Sequence, residues 1–122
     1  MAKKKILVVD DETDLVEMIV LRLEANDFTV IKAYDGQVAL DLARTEKPDL
    51  IILDLMLPKI DGYKVCRMLK FDEKYKSIPV ILFTAAPSTD EKMALLKDPH
   101  LGILVKPVSL AQMKTEIERY LV

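Results

Sequence analysis

Residues 50–58 read Leu50-Ile51-Ile52-Leu53-Asp54-Leu55-Met56-Leu57-Pro58, and this stretch decides the fold. Four consecutive large apolar residues, with no polar alternation, are what a strand covered on both faces carries. The run closes on a carboxylate, Asp54. Pro58 then marks a connection, where a missing N–H costs little. Such a strand needs parallel neighbours and helices on both sides of the sheet, so the rest of the chain has to supply them.

Working outward, Ile6–Val9, Phe28–Ala33, Val80–Thr84 and Leu101–Val105 are four further short apolar runs, which together with Leu50–Leu53 make five candidate strands. The segments between them repeat at helical spacing. Leu15, Met18, Ile19 and Leu23 form one stripe, and Leu110, Met113, Ile117 and Leu121 another. Ser88-Thr89-Asp90-Glu91 and Ser109-Leu110-Ala111-Gln112 both fit a capping box, and Asp35 before Gly36 can cap a further helix. Pro48, Pro58, Pro79 and Pro107 fall between elements. The pattern predicts α/β architecture, a (βα)5 doubly wound three-layer sandwich with right-handed crossovers. Periodicity does not set the strand order. In any such fold the site lies beyond the C-terminal ends of the strands.

Composition narrows the function classes. The chain has 122 residues, 51% hydrophobic and 31% charged, which is enough for one domain over residues 1–122 and excludes a disordered segment. Eighteen basic against 20 acidic residues leave a formal charge of −2, so neither direct nucleic-acid binding nor a membrane surface is expected. Asp10, Asp11 and Glu12 interrupt the first apolar run too early for a secretory signal, and no apolar stretch approaches the ~20 residues that cross a bilayer. A cytoplasmic location follows as an expectation. Cys66, the single cysteine, excludes an intramolecular disulfide or a cysteine-cluster zinc site; with Val65, Met68 and Leu69 around it, it reads as packing. His100, beside Pro99, reads as an exposed loop residue, and Lys3–Lys5 as the solvated start of the first strand.

Polar residues end four of the five strands: Asp10-Asp11, Asp54, Thr84 and Lys106. Each alone also reads as a turn former, a cap or a solvated residue. Together at one edge they make a chemical site. Three crowded carboxylates repel unless a cation joins them, and oxygen ligands without histidine or thiol select a hard cation, best Mg²⁺. With the ammonium of Lys106 and the hydroxyl of Thr84, the set fits phosphoryl transfer, with Asp54 as nucleophile.

Leu7-Val8-Val9-Asp10-Asp11, Asp54-Leu55-Met56-Leu57-Pro58 with Asp61-Gly62, Phe83-Thr84-Ala85 and Lys106-Pro107 resemble, in order and over essentially the whole chain, the receiver domain of two-component response regulators. The resemblance implies a flavodoxin-like sheet in the order 2-1-3-4-5. It implies Asp54 as acceptor of a phosphoryl group from a phosphohistidine, given by a sensor histidine kinase or a phosphotransfer protein. It also implies Mg²⁺ held by Asp11, Asp54 and the Met56 backbone carbonyl, with Asp10 helping through water. Thr84 and Lys106 would contact the phosphoryl group, before a cis Lys106–Pro107 bond. Such a domain catalyses only its own phosphorylation and dephosphorylation and signals to a downstream output protein or domain.

Three positions depart from the family pattern. Ile103 stands where an aromatic switch residue is usual, and it is stiff at χ1 and lacks a hydroxyl. Lys97-Asp98-Pro99-His100-Leu101-Gly102 replaces a small-residue turn, and Pro99 should end the preceding helix early. Val108 stands where Phe is common. The strand-five face is therefore expected to respond weakly to activation. Ile103 also keeps open a degenerate receiver, a phosphorylation-independent interaction module. Met18 with Leu15 is a candidate kinase-docking patch, although a core stripe is the better reading for most such residues; part of that helix must face partners if the family resemblance holds. Met56 and Ala86 would flank the water path to the phosphoryl group. A flavodoxin-type flavin site is opposed by Asp-Asp-Glu where a phosphate loop would lie. A haloacid-dehalogenase-type phosphatase lacks its second carboxylate, because Met56 occupies that position. Both a stand-alone receiver and the N-terminal part of a larger regulator fit the chain end at Val122.

Overall fold

The apolar runs become strands and the periodic segments become helices in a computed structural model that describes residues 3–85 and 99–121. Among the described residues the order is β1 (Lys5–Val9), α1 (Thr13–Ala25), β2 (Thr29–Ala33), α2 (Gly36–Glu46), β3 (Leu50–Leu53), α3 (Gly62–Lys70), β4 (Val80–Thr84), β5 (Leu101–Val105) and α4 (Leu110–Tyr120). The strands form one parallel sheet in the order β2-β1-β3-β4-β5. The expected α/β class and strand order are both present.

Alternation along each strand splits the core in two. Leu7, Val9, Ile51, Leu53 and Leu82 point to the layer of α2 and α3. Ile6, Val8, Ile52, Ile81 and Phe83 point to that of α1 and α4. The central strands β1, β3 and β4 are buried on both faces, which explains their unbroken hydrophobicity. The edge strand β2 is half-exposed, as is the C-terminal part of β5.

Helix ends follow the side chains that start them. Gln112 N–H donates to Ser109 Oγ (3.0 Å) and Ser109 N–H to Gln112 Oε1 (2.9 Å), a complete capping box for α4. Asp35 accepts from Val38 N–H at 2.9 Å, and Asp61 caps α3 by accepting from Lys64 N–H at 2.9 Å. The capping box expected at Ser88 lies outside the described residues, as do Ala86 and any helix that Pro99 would end.

Two expectations need correction. Phe28 is not in β2: its N–H donates to Leu23 O at 3.1 Å, so it belongs to the turn that closes α1, where Asp27 takes a φ of 67°. Met18 is not in the core stripe of α1, since it is 57% exposed. Val16, Ile19, Val20 and Leu23 are the buried positions, and their i, i+3, i+4, i+7 spacing leaves residue 18 off that face. Cys66 is buried and His100 exposed, as expected.

Candidate functional site

Strand register brings the polar strand ends level. Val9 pairs with Leu53 and Thr84 with Val105. The ladder runs one bond further, through Asp54 N–H to Val9 O (3.0 Å) and Lys106 N–H to Thr84 O (2.8 Å). Asp10 and Asp54 therefore leave adjacent strands side by side, with Thr84 and Lys106 across the next two. Asp10 and Thr84 are fully buried, Asp54 is 5% exposed, and Asp11 is exposed.

One ammonium ties the carboxylates together. Lys106 Nζ donates to Asp10 Oδ2 at 2.6 Å, to Asp54 Oδ2 at 3.3 Å and to Glu12 Oε1 at 3.5 Å. It also sits 4.9 Å from the centre of the Phe83 ring, on the ring's electron-rich face. Backbone turns aim the other oxygens: Glu12 N–H donates to Asp10 Oδ1 (3.0 Å) and Met56 N–H to Asp54 Oδ1 (3.1 Å). Burial pushes the Asp54 carboxyl above the ordinary carboxylate range and the charge of Asp10 adds to this, outweighing the Met56 N–H and Lys106. Burial alone would lower the Lys106 ammonium, but its bonds to Asp10 and Asp54 raise it above the usual lysine range.

Asp10, Asp11 and Asp54 each offer one oxygen within 4.8 Å of the others, a donor set that could hold a metal ion. Asp11 and Asp54 open into a cavity of about 700 Å³ that Thr84 and Lys106 also line, with Met56 and Tyr63 on its wall, while Asp10 is fully buried. The Met56 side chain is 67% exposed. All five residues singled out at the strand ends thus meet in one place. The Lys106–Pro107 bond is cis.

Three neighbours were not legible as site residues. Glu12 reaches Lys106 because it is the residue on which α1 starts, and its adjacency to the aspartate pair is the available signal. Phe83 carries no sequence signal beyond its place beside Thr84, and nothing in the sequence marks its ring as a seat for the ammonium. Tyr63 enters the cavity wall because α3 packs over the end of β3, a tertiary fact without a sequence signal.

The sequence model of the response regulator receiver domain matches residues 6–118. The chain is 40% identical over 118 residues to the alkaline phosphatase synthesis transcriptional regulatory protein PhoP of Bacillus subtilis, covering 97% of this chain and 48% of that one. It is 35% identical over 117 residues to the DNA-binding dual master transcriptional regulator RpaA of Synechocystis, covering 96% and 48%. The chain spans about half the length of these curated relatives. Among solved structures, the receiver domain of Francisella response regulator 1452 matches with a TM-score of 0.86 and 30% identity over 98% of this chain and 97% of that one. The Vibrio cholerae chemotaxis protein CheY4 matches with a TM-score of 0.86 and 28% identity over 98% and 99%. The chain belongs to the response regulator receiver domains of two-component signal transduction, a family whose general function is phosphoryl transfer.

Proposed function

We propose that Asp54 is the phosphoacceptor of this receiver and that a phosphohistidine of a sensor histidine kinase or phosphotransfer protein is the donor. The single observation that carries this reading is the convergence on one ammonium: Lys106 Nζ spans Asp10 at 2.6 Å and Asp54 at 3.3 Å beneath an open cavity. In the transfer, one Asp54 carboxylate oxygen forms a bond to phosphorus as the P–N bond breaks. The electron pair stays on the imidazole nitrogen, which takes up a proton from solvent. Met56 N–H holds the other side of the Asp54 carboxylate and orients it. Lys106 is free to leave Asp54 for an oxygen of the arriving phosphoryl group while keeping its shorter bond to Asp10. The Thr84 hydroxyl, at the end of β4 in the same cavity, serves as a hydrogen-bond donor to another of those oxygens.

The donor set fits a hard divalent cation, since the cluster is all oxygen with no histidine or thiol. Asp11, Asp54 and the Met56 backbone carbonyl would hold Mg²⁺ directly, with Asp10 assisting through water. When bound, Mg²⁺ supplies charge neutralisation for the transferring phosphoryl group. The only chemistry catalysed is the domain's own phosphorylation and dephosphorylation. Residues 1–122 act as one receiver domain in the cytoplasm, reporting to an output protein or domain. The transcriptional relatives make a DNA-binding output the leading candidate for a longer protein.

Intact mass after incubation with acetyl phosphate tests the reading. The expected result is a gain of one phosphoryl group that requires a divalent cation and disappears in EDTA and in Asp54→Asn. Labelling that survives Asp54→Asn moves the acceptor elsewhere. Ile103 favours a second reading, a degenerate interaction module, because it packs against the core on the α2–α3 side where the family places a mobile aromatic. No labelling under conditions that label a control receiver decides for that module.

A further inference from the structure

The outer face of α3 carries a surface that the phosphoryl site does not use. Lys64, Arg67, Met68 and Phe71 recur at i, i+3, i+4 and i+7, opposite the buried Val65, Cys66 and Leu69. Phe71 is 76% exposed, the most exposed large apolar side chain among the described residues, and Met68 is 42% exposed. The four side chains line a shallow groove of about 370 Å³. The Arg67 guanidinium lies 5.7 Å from the centre of the Tyr63 ring and 5.8 Å from that of Phe71, so the two aromatics hold it along the stripe. Among the described residues, neither Lys64 nor Arg67 has a carboxylate within ion-pair distance.

Aromatic, methionine and arginine side chains grouped without acidic residues have the composition of protein interface centres. Two cations with no carboxylate partner among the described residues favour carboxylates supplied from outside. Other macromolecules fit less well. A pair of cations contributes only about 1 kcal/mol each at an anionic lipid surface, which is too little to hold the chain there. Two phosphate contacts are likewise too few for nucleic acid on a chain of net charge −2.

We infer that α3 docks an acidic segment of a partner protein, with a large apolar side chain seated between Met68 and Phe71 and carboxylates facing Lys64 and Arg67. The stripe begins at Tyr63, which also lines the cavity over Asp54, so a partner held there reaches the rim of the phosphoryl site.

The test is an amide chemical-shift titration of the full chain with a synthetic helical peptide of roughly 15 residues, Leu at i, i+3, i+4 and i+7 and Glu elsewhere. The expected result is saturable shifts concentrated over residues 63–71, weakened roughly fivefold or more by Arg67→Glu and by Phe71→Ser. A peptide with Lys in place of Glu should not bind. Binding by either variant as tight as that of the unmodified chain, shifts spread over the molecule, or no saturable response to the Glu peptide overturns the inference. A stronger response to phosphatidylglycerol vesicles or to a single-stranded oligonucleotide does the same. Both substituted side chains are exposed, so thermal melting and labelling by acetyl phosphate should match the unmodified chain. Asp54→Asn should bind the peptide undiminished, which separates failure of this surface from failure of the acceptor assignment.

Discussion

A single methyl group at Gly62 should do more damage than its size implies. Gly62 opens α3, and its N–H donates to Leu55 O at 2.9 Å. A methyl carbon there would lie 1.8 Å from the Asp54 carbonyl oxygen, 2.7 Å from its carbonyl carbon and 2.8 Å from Leu55 Cα. Such contacts essentially never fall below 3.0 Å, so the Asp54 oxygen has to retreat by about 1.2 Å. All three obstacles are backbone, and Asp54 N–H is already bonded to Val9 O, so α3 has to lift or the end of β3 has to bend. Two terms compete. Replacing glycine by alanine in a helix gains up to about 1 kcal/mol. Overpacking against atoms that cannot rotate away costs roughly 1–3 kcal/mol, and more where backbone shifts. The second term wins, for a net loss of about 2 kcal/mol in urea unfolding of Gly62→Ala.

Because the displaced atoms carry the Asp54 carboxylate, labelling by acetyl phosphate should also fall, by up to ~10²-fold for a shift approaching 1 Å. Gly102→Ala is the matched control. Its methyl would meet the Tyr120 hydroxyl at 2.6 Å, the far end of a side chain that can turn aside. That variant should stay within about 1 kcal/mol of the parent. A Gly62→Ala chain as stable and as readily labelled as the parent would refute the reasoning, and so would equal losses from both substitutions.

Lys106→Met removes the ammonium that offsets the fully buried Asp10, so urea unfolding in EDTA at neutral pH should show a loss of roughly 3 kcal/mol. An unchanged midpoint would contradict the role given to that pair. Asp54→Asn should make the chain more stable in EDTA at pH 7. Burial raises the folded-state pKa of Asp54, so its contribution is full below the ordinary carboxylate value and is lost as pH rises through the raised one; the amide has no such loss. Identical pH–stability curves for the two chains would remove the claim. Lys70, 9% exposed, donates to the carbonyls of Lys76 (3.1 Å), Ile78 (3.0 Å) and His100 (3.2 Å), tying the end of α3 to the connection before β4 and the start of β5. Lys70→Met should cost about 2–3 kcal/mol with labelling retained per folded molecule, and a thermal melt indistinguishable from the parent would count against it.

Strands β1, β3 and β4 were legible because burial on both faces leaves unbroken apolar runs, and their closing residues stood out as the first polar groups after them. The cap of α4 was legible because a capping box is local chemistry, three residues apart. Met18 falls off the core stripe because a four-residue apolar list does not fix which side of a helix meets the sheet. Phe28 falls outside β2 because an apolar residue after a helix serves equally well in a closing turn or in the next strand.

The sequence by itself determined the fold class, the residues at the strand ends and the hard-oxygen character of the donor set. These follow from local hydrophobicity and from side-chain chemistry, which travel with the chain. Tertiary structure decided that Lys106 bridges Asp10 and Asp54, that Glu12 and Phe83 join it, and that burial raises the Asp54 pKa. It also turned Lys64, Arg67, Met68 and Phe71 outward as one face. Those outcomes depend on register and on helix docking. Both are set by contacts between residues as many as 96 positions apart, as in the Lys106–Asp10 pair, and no local pattern encodes them.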